Sequence, residues 1–122
     1  MRSIGKIFFF SAAHELPYHE GQCKELHGHN WRLDVQVTGP IQTNRSSTDM
    51  IMDFQDLDYT VNELIIKTHD HKYLNAIYEN PVAENMIHDF AMILGENLPH
   101  PIKLVSLRLW ETEKCYAEWT AD

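Results

Sequence analysis

Two segments near the start of the chain carry the patterns of β-strands. Residues 6–14 are short and aromatic, with three consecutive phenylalanines, a content typical of a strand. Residues 31–38 alternate apolar and polar side chains and end at Gly39 and Pro40. Strict alternation predicts a half-exposed strand, and it favours an antiparallel sheet over a parallel one.

Helical spacing begins in the middle of the chain. Asp53 is expected to be the N-cap of a first helix, with Asp56 in its first turn, where the helix dipole favours a negative charge. A row of residues at helical spacing then runs from Phe54 to Thr68. This row predicts a helix of about 15 residues.

A second helix is expected to begin at Asn80 and Pro81, because a capping residue followed by proline is typical of a helix N-terminus. It should stop at Pro99. Residues 102–110 and 114–119 are predicted to be two final strands. The order strand, strand, helix, helix, strand, strand indicates one α+β domain over the whole chain, with a four-stranded antiparallel sheet.

Both faces of this predicted sheet carry apolar side chains. Phe8, Phe9 and Phe10 are consecutive, and both parities of residues 102–110 include large apolar residues. Helices on one face cover only one of these two sets. Since the chain has no spare element for the other, self-association through the sheet is expected.

Charge and cysteine content narrow the function classes. Lys plus Arg number 10 against 18 Asp plus Glu, a formal net charge of -8, which argues against nucleic-acid binding and against an anionic membrane surface. The longest apolar run, residues 7–10, is too short to span a membrane. No secretory signal pattern opens the chain. We therefore expect a cytoplasmic protein, in which Cys23 and Cys115 remain thiols.

Histidine is unusually frequent, with eight in 122 residues. His27 and His29 flank Gly28, and in an extended segment side chains two residues apart point to the same side, roughly 7 Å apart at the backbone. His14 could supply a third imidazole if the first strand pairs beside this segment. Three histidines leave a fourth metal position open, as in catalytic zinc sites. The alternative is that two surface histidines are merely neighbours.

Cys23 lies four residues before His27 in a polar loop. It could be a fourth metal ligand that closes the site, an inert thiol, or an activated thiol whose thiolate takes part in catalysis. A polar loop makes an apolar core position improbable. The spacing alone does not separate a ligand from a catalytic base.

Two carboxylates complete the candidate chemistry. Asp70 precedes His71 just past the first predicted helix; the two form either a general acid–base pair or an ordinary solvated helix end. Glu111 shares the parity of the apolar residues Val105 and Leu109 if the last strands are regular. A carboxylate there needs a cation or the donors of a ligand, unless the strand bends and exposes it.

In order along the chain, these residues match a known family. The matching motifs are Phe10 to His14, Cys23 with His27 and His29, Met52 to Phe54, Asp70 to Asn75, Asn80 to Asn85, and Glu111 with Thr112. Over nearly its whole length the chain resembles the 6-pyruvoyl-tetrahydropterin synthase family. Within that family it is most similar to the bacterial 6-carboxy-5,6,7,8-tetrahydropterin synthases of queuosine biosynthesis.

The resemblance implies a fold and a site. The fold is the tunnelling fold: an antiparallel sheet with two helices on one face, which oligomerises into a barrel as a hexamer or another multiple of the barrel-forming unit, with active sites near subunit interfaces. The site has zinc at His14, His27 and His29 and a catalytic thiol at Cys23. The remaining implied roles are proton transfer by Asp70 and His71 and anchoring of the pterin ring by Glu111.

The implied substrate is 7,8-dihydroneopterin triphosphate. Triphosphate leaves by elimination, and in the bacterial branch the side chain is then cut between its first two carbons, releasing acetaldehyde and leaving a carboxylate. Val82 departs from the family pattern because a capping hydroxyl usually stands there. Arg32, Lys72 and Lys24 are candidate partners for the triphosphate. The rival functions are 6-pyruvoyl-tetrahydropterin synthase activity and a non-enzymatic zinc- or pterin-binding module.

Overall fold

The computed structural model describes residues 1–44 and 46–122. The strands are β1 Ser3–His14, β2 His27–Thr38, β3 Lys72–Tyr73, β4 Lys103–Trp110 and β5 Tyr116–Thr120. The helices are α1 Phe54–Val61, α2 Lys67–His69 and α3 Ala83–Asn97, with a π-helical turn at Asn62–Ile66 and 3₁₀ turns at Gln22–Lys24 and Leu74–Ala76. None of the helices in the described ranges is long and apolar enough to cross a membrane.

The sheet has five strands in the order β3-β1-β2-β4-β5. β1 pairs antiparallel with β2, β2 with β4, and β4 with β5. β3 pairs parallel with β1, at Ala12 and Ala13. The predicted four-stranded antiparallel sheet is therefore wrong: the sheet is mixed and five-stranded. A strand of two residues is too short to produce an alternation pattern, so β3 could not be predicted from the sequence.

β1 and β2 form the longest pair and are both longer than predicted. Their register runs without interruption from Ser3 opposite Thr38 to His14 opposite His27. The alternation predicted only residues 31–38 of β2. The strand begins earlier, at His27, and this additional part carries His27 and His29.

The first helical segment begins where predicted but is not one regular helix. The Asp53 side chain accepts a hydrogen bond from the backbone amide of Gln55 at 2.8 Å, which confirms the N-cap. After Val61 the backbone widens into the π-helical turn, and Ile65 and Ile66 are consecutive and both buried. A regular helical period cannot reveal this extra residue, because buried positions on either side of it still look helical.

The predicted start of the second helix is wrong. α3 begins at Ala83, with Val82 as an N-cap that makes no side-chain hydrogen bond. Pro81 instead lies in the extended segment that leads to the helix, where its carbonyl meets the ring of His14. The missing hydroxyl at Val82 is thus a real departure, since this residue stands at the capping position.

The core lies between the helices and one face of the sheet, with Trp31, Leu33, Leu57 and Phe90 fully buried. The pairing of β2 with β4 shifts register between Gln36 and Val37. As a result the β4 residues that face the core are Leu104, Leu107 and Leu109.

This register shift corrects the expectation that both parities of the fourth strand are apolar. The open face of β4 carries Ser106, Arg108 and Trp110, of which only the last is apolar. The first strand does have the second apolar set that the sequence indicated. On the open face of the sheet, the side chains of Ile7 and Phe9 are 48% and 59% exposed.

Candidate active site

Three histidines meet at the end of the helix-covered face of the sheet. The register places His14 opposite His27 and Ala12 opposite His29. Alternation along β2 puts His27 and His29 on the same face as the buried Trp31. The ring centroids are 4.6 Å apart for His14 and His27, 5.1 Å for His14 and His29, and 4.8 Å for His27 and His29.

Backbone carbonyls orient two of these rings. His14 Nδ1 lies 2.8 Å from the Pro81 carbonyl oxygen, and His27 Nδ1 lies 2.7 Å from that of Glu25. A carbonyl oxygen only accepts, so Nδ1 carries the hydrogen in both rings. Each Nε2 therefore keeps its lone pair. An imidazole held by a carbonyl behind it is the usual form of a metal-ligating histidine.

The donor atoms of this cluster fit a metal ion. The Nε2 atoms of His14 and His29 are buried and have no hydrogen-bond partner among the described residues, although such orphaned atoms are rare in folded proteins. Burial is the main reason that the pKa of each ring is lowered, which favours the neutral form that binds metals. One ligand atom from each of His14, His27, His29 and Glu111 lies within 4.8 Å of the others.

Glu111, the residue after β4, reaches into the same cluster. Its Oε1 is 2.9 Å from His29 Nε2, without hydrogen-bond alignment, and 3.7 Å from His14 Nε2. Its amide donates to the Cys115 carbonyl at 3.0 Å, which closes the turn to β5. Sequence reasoning found that this carboxylate needs a partner, but no spacing in the sequence indicated that the partners in this structure are histidines.

Two open cavities share His29. One, of about 640 Å³, is also lined by Arg32, Trp110, Glu111 and Thr112. The other, of about 650 Å³, runs from His29 and Asn30 to His71, Lys72 and Tyr73. A small polar ligand placed against His29 would thus have acidic and basic groups available on two sides.

Asp70 and His71 form the predicted pair beside β1. Asp70 Oδ2 is 3.0 Å from His71 Nδ1, and Asp70 Oδ1 accepts from the Ser11 amide at 2.9 Å. The bond from Ser11 and then the one from His71 hold the pKa of Asp70 below its usual range. The His71 side chain is 83% exposed. The pair is thus an ionised carboxylate behind an accessible imidazole, an arrangement suited to proton transfer.

Cys23 is half-exposed in the 3₁₀ turn before β2, and its carbonyl accepts from the Leu16 amide at 2.9 Å. It is not a member of the group of side chains whose ligand atoms converge in the described part of the chain. Lys24 is its exposed neighbour.

Of the other two candidate phosphate partners, Lys72 is exposed and lines the cavity between His29 and His71. Arg32 is already engaged. It forms an ion pair with Asp34 at 2.7 Å and lies over the ring of Trp110, 5.5 Å from its centroid. Because Arg32 already contacts groups of this protein, Lys24 and Lys72 are more available to bind a phosphate group.

Comparisons with known proteins agree with this picture. Residues 3–122 match the sequence profile described as 6-pyruvoyl tetrahydropterin synthase. A Synechocystis relative named 6-carboxy-5,6,7,8-tetrahydropterin synthase is 44% identical over 84 residues, which are 66% of this chain and 65% of the relative. A Pyrococcus furiosus relative named dihydroneopterin monophosphate aldolase is 38% identical over 102 residues, 84% of this chain and 82% of the relative.

A solved structure has the same fold. The 6-pyruvoyl tetrahydropterin synthase of Caenorhabditis elegans superposes with a TM-score of 0.82 at 22% identity, covering 99% of this chain and 96% of that one. At this identity the likeness concerns the fold. It agrees with the α+β architecture predicted from the order of the elements.

Proposed function

The chain belongs to the 6-pyruvoyl tetrahydropterin synthase family, and on that premise we propose that it is a zinc-dependent 6-carboxy-5,6,7,8-tetrahydropterin synthase of queuosine biosynthesis. With one molecule of water, it converts 7,8-dihydroneopterin triphosphate to 6-carboxytetrahydropterin, acetaldehyde and triphosphate. The observation that carries this proposal is the cluster of His14, His27 and His29, with an acid–base pair across a shared cavity. The name of the Synechocystis relative favours this activity among those of the family.

Zinc is the metal we assign to the three histidines. Imidazole nitrogens suit zinc, and three protein ligands leave a coordination position for substrate. When bound, the ion supplies Lewis acidity that makes hydroxyl groups on the substrate side chain, and the C–H groups beside them, more acidic. The carbonyls of Pro81 and Glu25 hold two of the rings in the tautomer that this requires.

Glu111 is assigned to the pterin ring. A pterin presents its 2-amino group and N3–H as two adjacent donors, and a carboxylate accepts both in a charge-assisted pair. Glu111 lies beside His29 and lines the cavity of about 640 Å³. In this position it would fix the ring so that the substrate side chain lies toward the histidines.

Proton transfer is assigned to Cys23 and to the pair of Asp70 and His71. His71 is accessible, and the Asp70 carboxylate at its Nδ1 fixes the tautomer that leaves Nε2 free to exchange a proton. The Cys23 thiolate would act from the opposite side of the substrate side chain. Two proton-transfer groups on opposite sides allow a proton to be taken at one carbon and returned at another while triphosphate leaves.

A homo-oligomer is part of the proposal, because the described sheet has two open edges. β5 has a partner on one side only. β1 contacts β3 only at Ala12 and Ala13, so residues 3–10 have no strand on that side. Pairing β5 of one copy with β1 of the next would close a barrel and would cover Ile7 and Phe9 on its inner face. Light scattering of the purified protein would give the number of subunits.

A second activity has specific support. The Pyrococcus furiosus relative is named dihydroneopterin monophosphate aldolase, and the match covers 84% of the present chain. Carbon–carbon cleavage of the side chain would need the same kinds of residues: a metal, a pterin anchor and proton-transfer groups. The phosphate chain of the substrate is what would differ.

One experiment separates these functions. The zinc-loaded protein is incubated with 7,8-dihydroneopterin triphosphate and, separately, with the monophosphate; the pterin is analysed by mass spectrometry and acetaldehyde is assayed. We expect 6-carboxytetrahydropterin and acetaldehyde from the triphosphate. A pyruvoyl product would indicate the sister synthase, and turnover of the monophosphate alone would indicate the aldolase. Pterin binding without turnover would indicate a binding module.

A further inference from the structure

A chain of polar groups inside the protein joins the end of α2 to α3. His69 is 3% exposed, and its Nε2 lies 2.7 Å from the hydroxyl oxygen of Tyr78. That hydroxyl is 3.0 Å from Asp89 Oδ2. The other ring nitrogen, Nδ1, lies 2.8 Å from the carbonyl oxygen of Ile65. His69 immediately precedes Asp70 in the chain, yet none of these contacts belongs to the site described above.

We propose that His69, held by Tyr78 and Asp89, is a positioning residue for proton transfer by Asp70 and His71. This proposal rests on the proposed function, because proton transfer by Asp70 and His71 is part of that function. It does not require His69 to touch substrate. Its role is to fix the backbone at the point where the chain leaves the helix and enters the catalytic pair.

The backbone at this point needs such support. Asp70 leaves the helix with ψ 130°, and His71 has a φ of 60°, in the left-handed region that residues other than glycine seldom adopt. A backbone of this kind persists where its surroundings over-determine it. On one side Ser11 holds it, since its carbonyl accepts from the His71 amide at 2.6 Å. On the other side the neighbouring anchor is the ring of His69.

Packing makes this anchor stiff. The His69 ring lies 4.9 Å from the ring of Phe90 in α3 and 6.0 Å from that of Phe10 in β1, measured between centroids. The ring cannot rotate outward without opening the core. Residue 69 is therefore fixed to three parts of the molecule: β1, α3 and the segment that holds Tyr78.

Counting the hydrogens shows which protonation state of His69 satisfies both contacts, from His69 to Tyr78 and from Tyr78 to Asp89. The Ile65 carbonyl only accepts, so its contact with Nδ1 requires a hydrogen on Nδ1, and the Thr68 hydroxyl, 2.9 Å from Nδ1, then donates to the Ile65 carbonyl instead. The two contacts from Nε2 to Tyr78 and from Tyr78 to Asp89 then need two hydrogens, but a neutral ring and an ionised Asp89 leave only the hydroxyl hydrogen of Tyr78. A proton on Nε2 supplies the second one. The chain is fully bonded when His69 is an imidazolium.

Burial and neighbouring groups have opposite effects on the pKa of His69. The pKa of His69 is lowered, mainly by burial, and the Ile65 carbonyl and the charge of Asp89 offset only part of this effect. Burial and Asp89 raise the pKa of Tyr78, so its hydroxyl stays protonated. Tyr78 and Asp89 are the titratable groups facing the ring from the described segments packed on it; Phe10 and Phe90 are apolar. Because this pKa is lowered, the imidazolium form is confined to pH values below the ordinary histidine pKa, and above it the contact between Tyr78 and Asp89 has no hydrogen.

Variants of Tyr78 and Asp89, the two residues that hold His69, test this role in the zinc-loaded protein. Tyr78→Phe should lower kcat by about 10- to 100-fold, with KM and zinc content unchanged. Tyr59→Phe, on the exposed face of α1, is the control. Asp89→Ala cuts the chain at its half-exposed end, where the fold is less at risk, and should also lower kcat. Asp89→Asn should restore it, because the amide donates to Tyr78 while Tyr78 donates to a neutral His69.

A spectroscopic measurement makes the test independent of turnover. Long-range ¹H–¹⁵N spectra report the protonation of each histidine ring. In the wild type we expect a His71 Nδ1 hydrogen fixed toward Asp70, and in Tyr78→Phe an averaged signal. Unchanged kcat and an unchanged His71 signal in both Tyr78→Phe and Asp89→Ala would overturn the proposal. If the wild type converts no dihydroneopterin triphosphate, the proposed function fails, and the His71 signal still decides whether His69 positions the pair.

Discussion

The histidine cluster and the segment that carries Asp70 and His71 lie on opposite sides of the end of β1, but they are built in different ways. The cluster stands on two long strands in unbroken antiparallel register. Asp70 and His71 follow a π-helical turn and a helix of three residues, and His71 itself has a left-handed backbone conformation. Regular strands fix side chains through periodicity, whereas an irregular segment depends on particular contacts. Mutations should therefore remove function from the first region by removing ligands, and from the second by loosening geometry.

The largest effect should come from His27→Ala. The change removes one of three ligands from a cluster whose backbone is held by the sheet, so the fold should persist while zinc affinity falls by more than about 100-fold. Zinc content after competition with a chelator, together with turnover, measures this. His88→Ala, on the exposed face of α3, is the control. Stoichiometric zinc in His27→Ala would contradict the assignment of the site.

Cys23→Ala should separate metal binding from chemistry. Cys23 does not belong to the converging ligand group of the described residues, so the variant should keep its zinc and bind substrate. Without the thiolate, turnover should fall by about 10²- to 10⁴-fold, as is usual for removal of a general base. Cys115→Ala, at the other free thiol, is the matched control. Loss of zinc along with activity would instead identify Cys23 as a metal ligand.

The two regions also differ in how far they could be predicted from sequence. The spacing of His27 and His29 indicated a shared face, and the pairing of β1 with β2 placed His14 beside them as predicted. The Asp53 cap was equally local and is confirmed. These features could be predicted because each depends on a few neighbouring residues in a regular stretch of backbone.

What could not be predicted depends on contacts between distant residues. Asn80 and Pro81 have the pattern of a helix start, but the Pro81 carbonyl is used to orient His14 and the helix begins later. The shift of register beside Gln36 exchanged Val105 for Leu104 on the core face of β4. The π-helical turn and β3 leave no periodic trace. The π-helical turn and β3 lie on either side of Asp70 and His71 in the sequence, and the register shift lies near the start of β4, so each is a place where the backbone is irregular.

Glu111→Gln tests the residue that joins the metal cluster to the proposed pterin pocket. The amide places a donor where the pterin offers donors, so pterin binding should weaken by roughly 2–4 kcal/mol, as for a broken charge-assisted pair. Zinc content should stay the same, as measured by metal analysis beside pterin titration. Glu96→Gln, exposed in α3 and away from this cavity, is the control. Since Glu111 lies 2.9 Å from His29, loss of zinc in this variant would make it a ligand instead.

The smallest effect concerns the stability of the segment that carries Asp70 and its dependence on pH. The Ser11 amide and His71 lower the pKa of Asp70 in the folded protein. A lowered carboxyl pKa stabilises the fold at pH values above the ordinary aspartate pKa of about 4. That contribution is lost as pH falls through the folded-state pKa, which lies below this value.

Urea unfolding of the wild type and of Asp70→Asn should therefore differ at neutral pH and converge in acid. Asp56→Asn, in the first turn of α1, is a control at an exposed carboxylate outside the pair. A difference for Asp70→Asn that stays constant from neutral to acid pH would mean that Asp70 is not held by these two contacts, and that the segment around His71 is fixed by the backbone alone.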